Sequence, residues 1–193
     1  MNRIDGADTY AKVQAADRIL SYKSYFEMAR NPSQGKFDRA HMLAIHERMF
    51  RDLYYFAGQL RDMPMQIDSV TRFVAPHRIP SALDAFFEKL HAIDCRKRLE
   101  KEQFIAHAAQ RLTDINIIHP FREGNGRSKR VFFTAWAEHA GFAFDWAKCK
   151  EEEWLYADQC AFDSSREGKR DVSYLKYLLD RAVDKIDESA RER

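Results

Sequence analysis

Ile118-His119-Pro120-Phe121-Arg122-Glu123-Gly124-Asn125-Gly126-Arg127-Ser128-Lys129-Arg130 concentrates more polar chemistry than any other stretch of this 193-residue chain. Pro120 forces a turn after a helix that ends near Ile118, and a new helix starts near Gly124 or Asn125. The run that follows, Val131-Phe132-Phe133-Thr134-Ala135-Trp136-Ala137, is apolar nearly all round, so its helix is buried on most sides and central to the fold. The first amides of such a helix have no internal partner. With Gly124 and Gly126 permitting close approach, those amides can cradle an anion that the helix dipole favours. Arg127 and Arg130 lie three apart, on one side of the first turns, where guanidinium forks can grip further phosphate oxygens. The pattern suits a polyphosphate better than a single carboxylate.

Two further groups give the loop a reaction. Glu123 stands just before the cradle, and a carboxylate beside phosphates calls for a cation; Mg²⁺, held by one or two carboxylates plus phosphate oxygens, is the natural bridge. His119 lies four residues earlier, across the turn, where a neutral imidazole can take a proton from an attacking hydroxyl. Together these groups suit nucleophilic attack on phosphorus. Alone, a His-Pro is usually a turn, a Gly-Asn-Gly a loop and an arginine pair a surface charge. Their convergence ahead of a buried helix is what points to a site. The G-x-x-x-x-G-K-[ST] phosphate loop is absent, as are a zinc-protease pattern after His46-Glu47 and a Gly-x-Ser-x-Gly elbow. The other six histidines (His41, His46, His77, His91, His107, His139) read as surface or helix-end residues.

Outward from the loop the chain reads as helical. Tyr10–Met28 carries Tyr10, Val13, Ala16, Leu20 and Phe26 roughly on a stripe, and Asn31-Pro32-Ser33-Gln34-Gly35 breaks it. Asp38 caps a helix with Met42, Ile45, Met49, Leu53 and Phe56 on one face, which Gly58 stops. Met63 to Pro80 changes character: prolines at 64, 76 and 80 break helices, and Met65 to Val74 alternates like a hairpin, with Asp68-Ser69 as its turn. Ser81 to Asp84 resembles a capping box for a helix bearing Leu83, Phe86, Phe87, Leu90 and Ile93. A helix over about 102–117 carries Phe104, Ala108, Leu112 and Ile115. His139 and Gly141 end the central helix, and two more helices follow, Glu151–Phe162 and Val172–Ala190.

The bulk composition fits one domain with a short appendage. The chain is 45% hydrophobic, and a net charge of +2 asks for no nucleic-acid partner. Cys95, Cys149 and Cys160 are odd in number, match no zinc spacing and read as free thiols in a reducing compartment. No N-terminal apolar run marks a secretory signal and no window spells a membrane helix. The expectation is a soluble, cytosolic protein that associates with neither membrane nor nucleic acid.

The loop resembles the signature of the Fic family, His-Pro-Phe-x-Asp/Glu-Gly-Asn-Gly-Arg-x-x-Arg, which residues 119–130 match at every defined position. Ile45-His46, Leu53 to Arg61, Phe132 to Phe142 and Asp145-Trp146 are also similar to the family's bacterial toxin and effector branch. The resemblance implies an all-α Fic-fold helical bundle with a small β-hairpin flap over the active site. It implies a Fic domain over 38–193 (flap about 63–80, catalytic loop 118–130) behind an N-terminal helical extension, 1–37. It further implies transfer of AMP from ATP to a Ser, Thr or Tyr hydroxyl of a target protein. His119 would be the general base and Glu123 would hold Mg²⁺. Gly124, Asn125 and Gly126 would form the anion hole. Arg127 and Arg130 would hold the β- and γ-phosphates, with Arg122 counted among the nucleotide contacts. Phe121 would anchor the loop in the core. Adenine contacts are expected from Arg72, Phe73 or the helix around Trp154. The flap, Ile67, Asp68, Ser69, Val70 and Thr71, would pair with the target's backbone.

Many family members carry an inhibitory Ser/Thr-x-x-x-Glu-Gly/Asn helix, and this chain has no match to it. That suggests a toxin or effector held in check by a separate antitoxin that carries such a helix, or a piece of a larger protein. The place of action would be the bacterial cytoplasm, or a host or recipient cell after delivery. Two alternatives stay open from sequence: a phospho- or phosphocholine-transferase on the same fold, and a nucleotide-binding interaction module without turnover.

Overall fold

A computed structural model of the chain describes residues 9–66, 73–93, 99–166 and 168–187. Among these, the architecture is helical: α1 (Tyr10–Arg30), α2 (Arg39–Phe50), α3 (Ile79–Leu90), α4 (Lys101–Ile118), α5 (Asn125–His139), α6 (Glu151–Arg166) and α7 (Ser173–Ala182). The sheet among the described residues is one small antiparallel pair, β1 (Phe142–Phe144) with β2 (Val183–Lys185), in the register Phe142↔Lys185, Ala143↔Asp184, Phe144↔Val183. The chain forms two compact units, Met1–Ile79 with Pro120–Phe132, and Pro80–His119 with Phe133–Arg193.

The first unit holds α1, α2 and the loop that runs into α5. Asp38 caps α2 as its residue type predicts, its carboxylate accepting the His41 N–H at 2.8 Å, which stabilises a helix by about 1 kcal/mol. Met42, Ile45, Met49 and Leu53 are buried as the spacing requires. The helix stops at Phe50, however, and not at Gly58. Tight turns carry the chain on (Leu53 N–H to Phe50 O, Ala57 N–H to Tyr54 O, Gln59 N–H to Phe56 O), and Gly58 closes them at φ +74°.

Of the stripe read on α1, Val13, Ala16 and Leu20 are half-buried, on the face that carries Asp17 and the buried Ser21 and Met28, whereas Phe26 is exposed, as are Ile19 and Tyr22 off the stripe. His46, expected at the surface or a helix end, is 0% exposed in the middle of α2, whereas His41 does sit at a helix end, in the first turn of α2, and is 3% exposed.

The second unit is built on an aromatic stack. Phe104 of α4 lies between Trp136 of α5 (4.9 Å) and Phe142 of β1 (4.4 Å). Removing so large a buried ring costs about 3–5 kcal/mol. Leu83, Phe86 and Leu90 of α3 and Leu175, Leu178 and Leu179 of α7 join this core. α3 begins two residues earlier than the proposed box at Ser81, with Pro80 in its first turn, where a missing N–H does no harm. The last helix ends at Ala182, because Val183 leaves it to pair with Phe144. Phe142-Ala143-Phe144 buries its two rings on alternate positions of that pairing. Trp154, a candidate base contact, is core: it is 5% exposed and its Nε1–H donates to Trp146 O at 3.1 Å. Asp114 in α4 receives Arg111 at 3.0 Å and Arg170 at 2.8 Å, so two guanidiniums balance one buried carboxylate.

Candidate active site

Residues Pro120 to Arg127 form a closed turn tied down by its own side chains. Phe121 is 1% exposed and sits on His46, ring centroids 3.8 Å apart and planes 15° apart. Asn125 closes the turn with both ends of its amide: Oδ1 accepts from Phe121 N–H (2.9 Å) and Nδ2 donates to Phe121 O (2.8 Å). Ser128 N–H and Oγ–H both donate to Gly124 O, each at 2.9 Å. The Asn125 side chain therefore builds the loop, and only its backbone amide is left for an anion.

His46 fixes the middle of the loop from α2. Its Nδ1 accepts the Gly58 N–H at 2.9 Å, so Nε2 carries the hydrogen and donates to Glu123 O at 3.0 Å. Burial pushes this imidazole down to about 4, opposed by the bond to Glu123 and reinforced by the Arg127 charge, so the ring is neutral near pH 7. Arg61, 2% exposed, ties the loop to the segment around 63–74. Its N–H donates to Pro120 O (2.9 Å), and its guanidinium donates to Met63 O (2.9 Å) and to Val74 O. Phe73 N–H to Met65 O (3.2 Å) bridges the arms on either side of residues 67–72. Arg72, and Ile67 to Thr71, expected from sequence to dock the target, lie outside the described residues.

The cradle already holds a carboxylate oxygen. Glu123 Oε1 accepts from Gly124 N–H at 2.9 Å and lies 3.4 Å from Arg127 Nη2. Gly124 has φ +79°, and a Cβ there would meet Phe50 Cε2 and Cζ at 2.4 Å, so only glycine fits. Gly126 is exposed, and a Cβ there would meet nothing within 4 Å, which leaves room beside the first helical amides. Glu123 fits a hard cation of the Mg²⁺ kind. Its side chain is 56% exposed, and its second oxygen carries no hydrogen bond among the described residues. Among those residues no group of three or more His, Cys, Asp or Glu forms a cage, so such an ion would take its remaining ligands from phosphate and water.

The arginines differ. Arg127 is engaged by Asp17 and Ser21 of α1 and lies over the Phe50 ring at 4.8 Å. Arg122 pairs with Asp62, holds that carboxyl below its usual range, and lies 5.7 Å from the Phe56 ring. Arg130 is half-buried one turn further along α5, and Phe73 is half-buried at the end of its segment. Tyr54 is pushed up to about 12 by burial and by the negative charges of Asp17 and Glu123. His119 belongs to the second unit, where it ends α4 in the left-handed region (φ 48°) with its N–H on Ile115 O at 2.9 Å.

His46, Arg61, Asp17 and Ser21 went unread in the sequence as parts of this site. His46 and Arg61 stand in the stretch that resembles the family. Asp17 and Ser21, one turn apart in a helix of weak pattern, give no such signal.

The family model for the Fic/DOC family matches residues 36–137. The chain belongs to the Fic/DOC family. "Protein adenylyltransferase VbhT" of Bartonella schoenbuchensis is 31% identical over 79% of this chain, which spans 32% of that protein's length. "Probable protein adenylyltransferase Fic" of Salmonella typhimurium is 32% identical over 77% of this chain and 71% of that protein. Among solved structures, the Fic domain of a VirB-translocated Bep effector from Bartonella quintana, with bound ADP, superposes at a TM-score of 0.85, with 23% identity over 100% of this chain and 94% of that one. The superposition shows the same fold.

Proposed function

We propose that this Fic protein is a protein adenylyltransferase that moves AMP from ATP to a hydroxyl of a target protein. The observation that carries the reading is the loop itself: a full signature whose Gly124 amide and Arg127 already share an anionic oxygen, beside the open position at Gly126. The adenylyltransferase names of relatives more than 30% identical support the choice of AMP.

In this reading the target's Ser, Thr or Tyr oxygen bonds to the α-phosphorus. The bond from that phosphorus to the bridging oxygen breaks, and pyrophosphate leaves. His119 takes the hydroxyl proton. The amides of Gly124, Asn125 and Gly126 hold phosphate oxygens, while Arg127 and Arg130 hold the β- and γ-phosphates, with Arg122 at the edge of the nucleotide. Glu123 must swing off Gly124 N–H to let an anion in, and it would then be the residue to hold Mg²⁺, which would neutralise charge on the phosphates. Arg72 and Phe73 would flank the base, and the 67–71 segment would pair with the target's backbone.

Residues 1–193 contain no Ser/Thr-x-x-x-Glu-Gly/Asn match, and the same proposal has that helix supplied by a separate antitoxin or by another part of a longer protein. Action as a toxin or effector, in the bacterial cytoplasm or in a recipient cell, belongs to the same proposal. Purified protein incubated with Mg²⁺, ATP and bacterial lysate tests it. A protein band carrying AMP supports the reading, and a band carrying phosphate or phosphocholine overturns it.

A further inference from the structure

α1 precedes the family-model match, which begins at residue 36, yet it meets Arg127 of the loop through polar side chains. Asp17 Oδ1 and Oδ2 each lie 2.8 Å from Arg127 Nη1, and Ser21 Oγ accepts from the same nitrogen at 2.7 Å. Asp17 and Ser21 are four apart and share one face of the helix. Ser21 is buried and returns its own hydrogen to Asp17 O at 2.5 Å. The Asp17 side chain is 15% exposed and also bonds the Tyr54 hydroxyl. An exposed ion pair orders little; this one is largely shielded and joined by two hydroxyls.

The geometry leaves one edge of the guanidinium for a ligand. Both Nη1 hydrogens are used by α1, and the Phe50 ring lies under the guanidinium. Nη2 makes only the 3.4 Å contact to Glu123, and Nε carries no hydrogen bond among the described residues. Nε and Nη2 form the edge that takes two phosphate oxygens at once. We propose that Asp17 and Ser21 are positioning residues that hold Arg127 with this edge presented, so that α1 completes the polyphosphate site. The inference rests on the loop being the ATP site, with Arg127 on the β/γ-phosphates.

AMP lacks those phosphates and provides the discriminating ligand. Calorimetric titration of the full chain with Mg²⁺ and either ATP or AMP would compare wild type, Asp17→Asn, Ser21→Ala and Ser21→Thr. Asp17→Asn should weaken ATP by about tenfold and Ser21→Ala by about threefold. AMP binding should be unchanged in both, and Ser21→Thr should keep wild-type ATP affinity. In the transfer assay KM for ATP should rise while kcat holds. Equal losses for ATP and AMP, or no loss, overturn the inference, as does tighter ATP binding by Asp17→Asn, which would make the carboxylate a competitor of the phosphate. If Asp17→Asn does not fold, the two Ser21 variants decide. Failure of the wild type to bind ATP overturns the reading of the loop and this inference with it.

Discussion

Lowering the pH from 7 to 5 should loosen the loop through one buried imidazole. His46 is 0% exposed and neutral, with Nδ1 accepting from Gly58 N–H and Nε2–H donating to Glu123 O. A proton can only enter at Nδ1, where it would confront the Gly58 hydrogen. The folded value of about 4 lies below the ordinary 6.5, so between those values the unfolded chain binds the proton and the folded chain does not. Stability therefore falls as pH falls through that window. Protons drawn to the unfolded state remove about 2 kcal/mol between pH 7 and pH 5, with most of the effect below pH 6.5. Urea denaturation of wild type and His46→Gln at both pH values measures it. His107, also held low by burial, titrates alike in both proteins and cancels from the difference. The wild type should lose about 2 kcal/mol more than the variant. Equal losses in the two proteins would refute a neutral, loop-bonded His46.

Three substitutions separate loop shape from loop chemistry. Gly124→Ala forces a Cβ onto the Phe50 ring at a left-handed residue, and thermal melts should show a loss of roughly 2–5 kcal/mol. Gly126→Ala meets nothing and sits in the first turn of α5, so melting should show a gain of up to about 1 kcal/mol while ATP titration shows weaker binding. Arg61→Ala leaves the Met63 and Val74 carbonyls without their guanidinium, so thermal melts should show a loss of about 1–3 kcal/mol.

The helices with strong apolar spacing were legible, and so was the loop. Asp38, the face of α2, the ring-rich α5 and the glycine at 124 all do what their residue types require. The misreadings share a cause. The end of α2 at Phe50 and the buried His46 are set by hydrogen bonds between residues far apart in the chain: Gly58 to His46 and His46 to Glu123. Local spacing contains no record of these partners. β2 was lost for a similar reason, since Val183 fits the periodicity of α7 until Phe144 gives it a strand to pair with.

Labelled ATP distinguishes AMP transfer from phosphate transfer. The protein is incubated with Mg²⁺, a lysate and ATP labelled at the α- or the γ-phosphorus, as wild type and as His119→Ala. Protein-bound label is expected from the α-position only, lost in His119→Ala while ATP binding and the melting temperature stay at wild-type values. Label from the γ-position, or α-label that persists without His119, would contradict it.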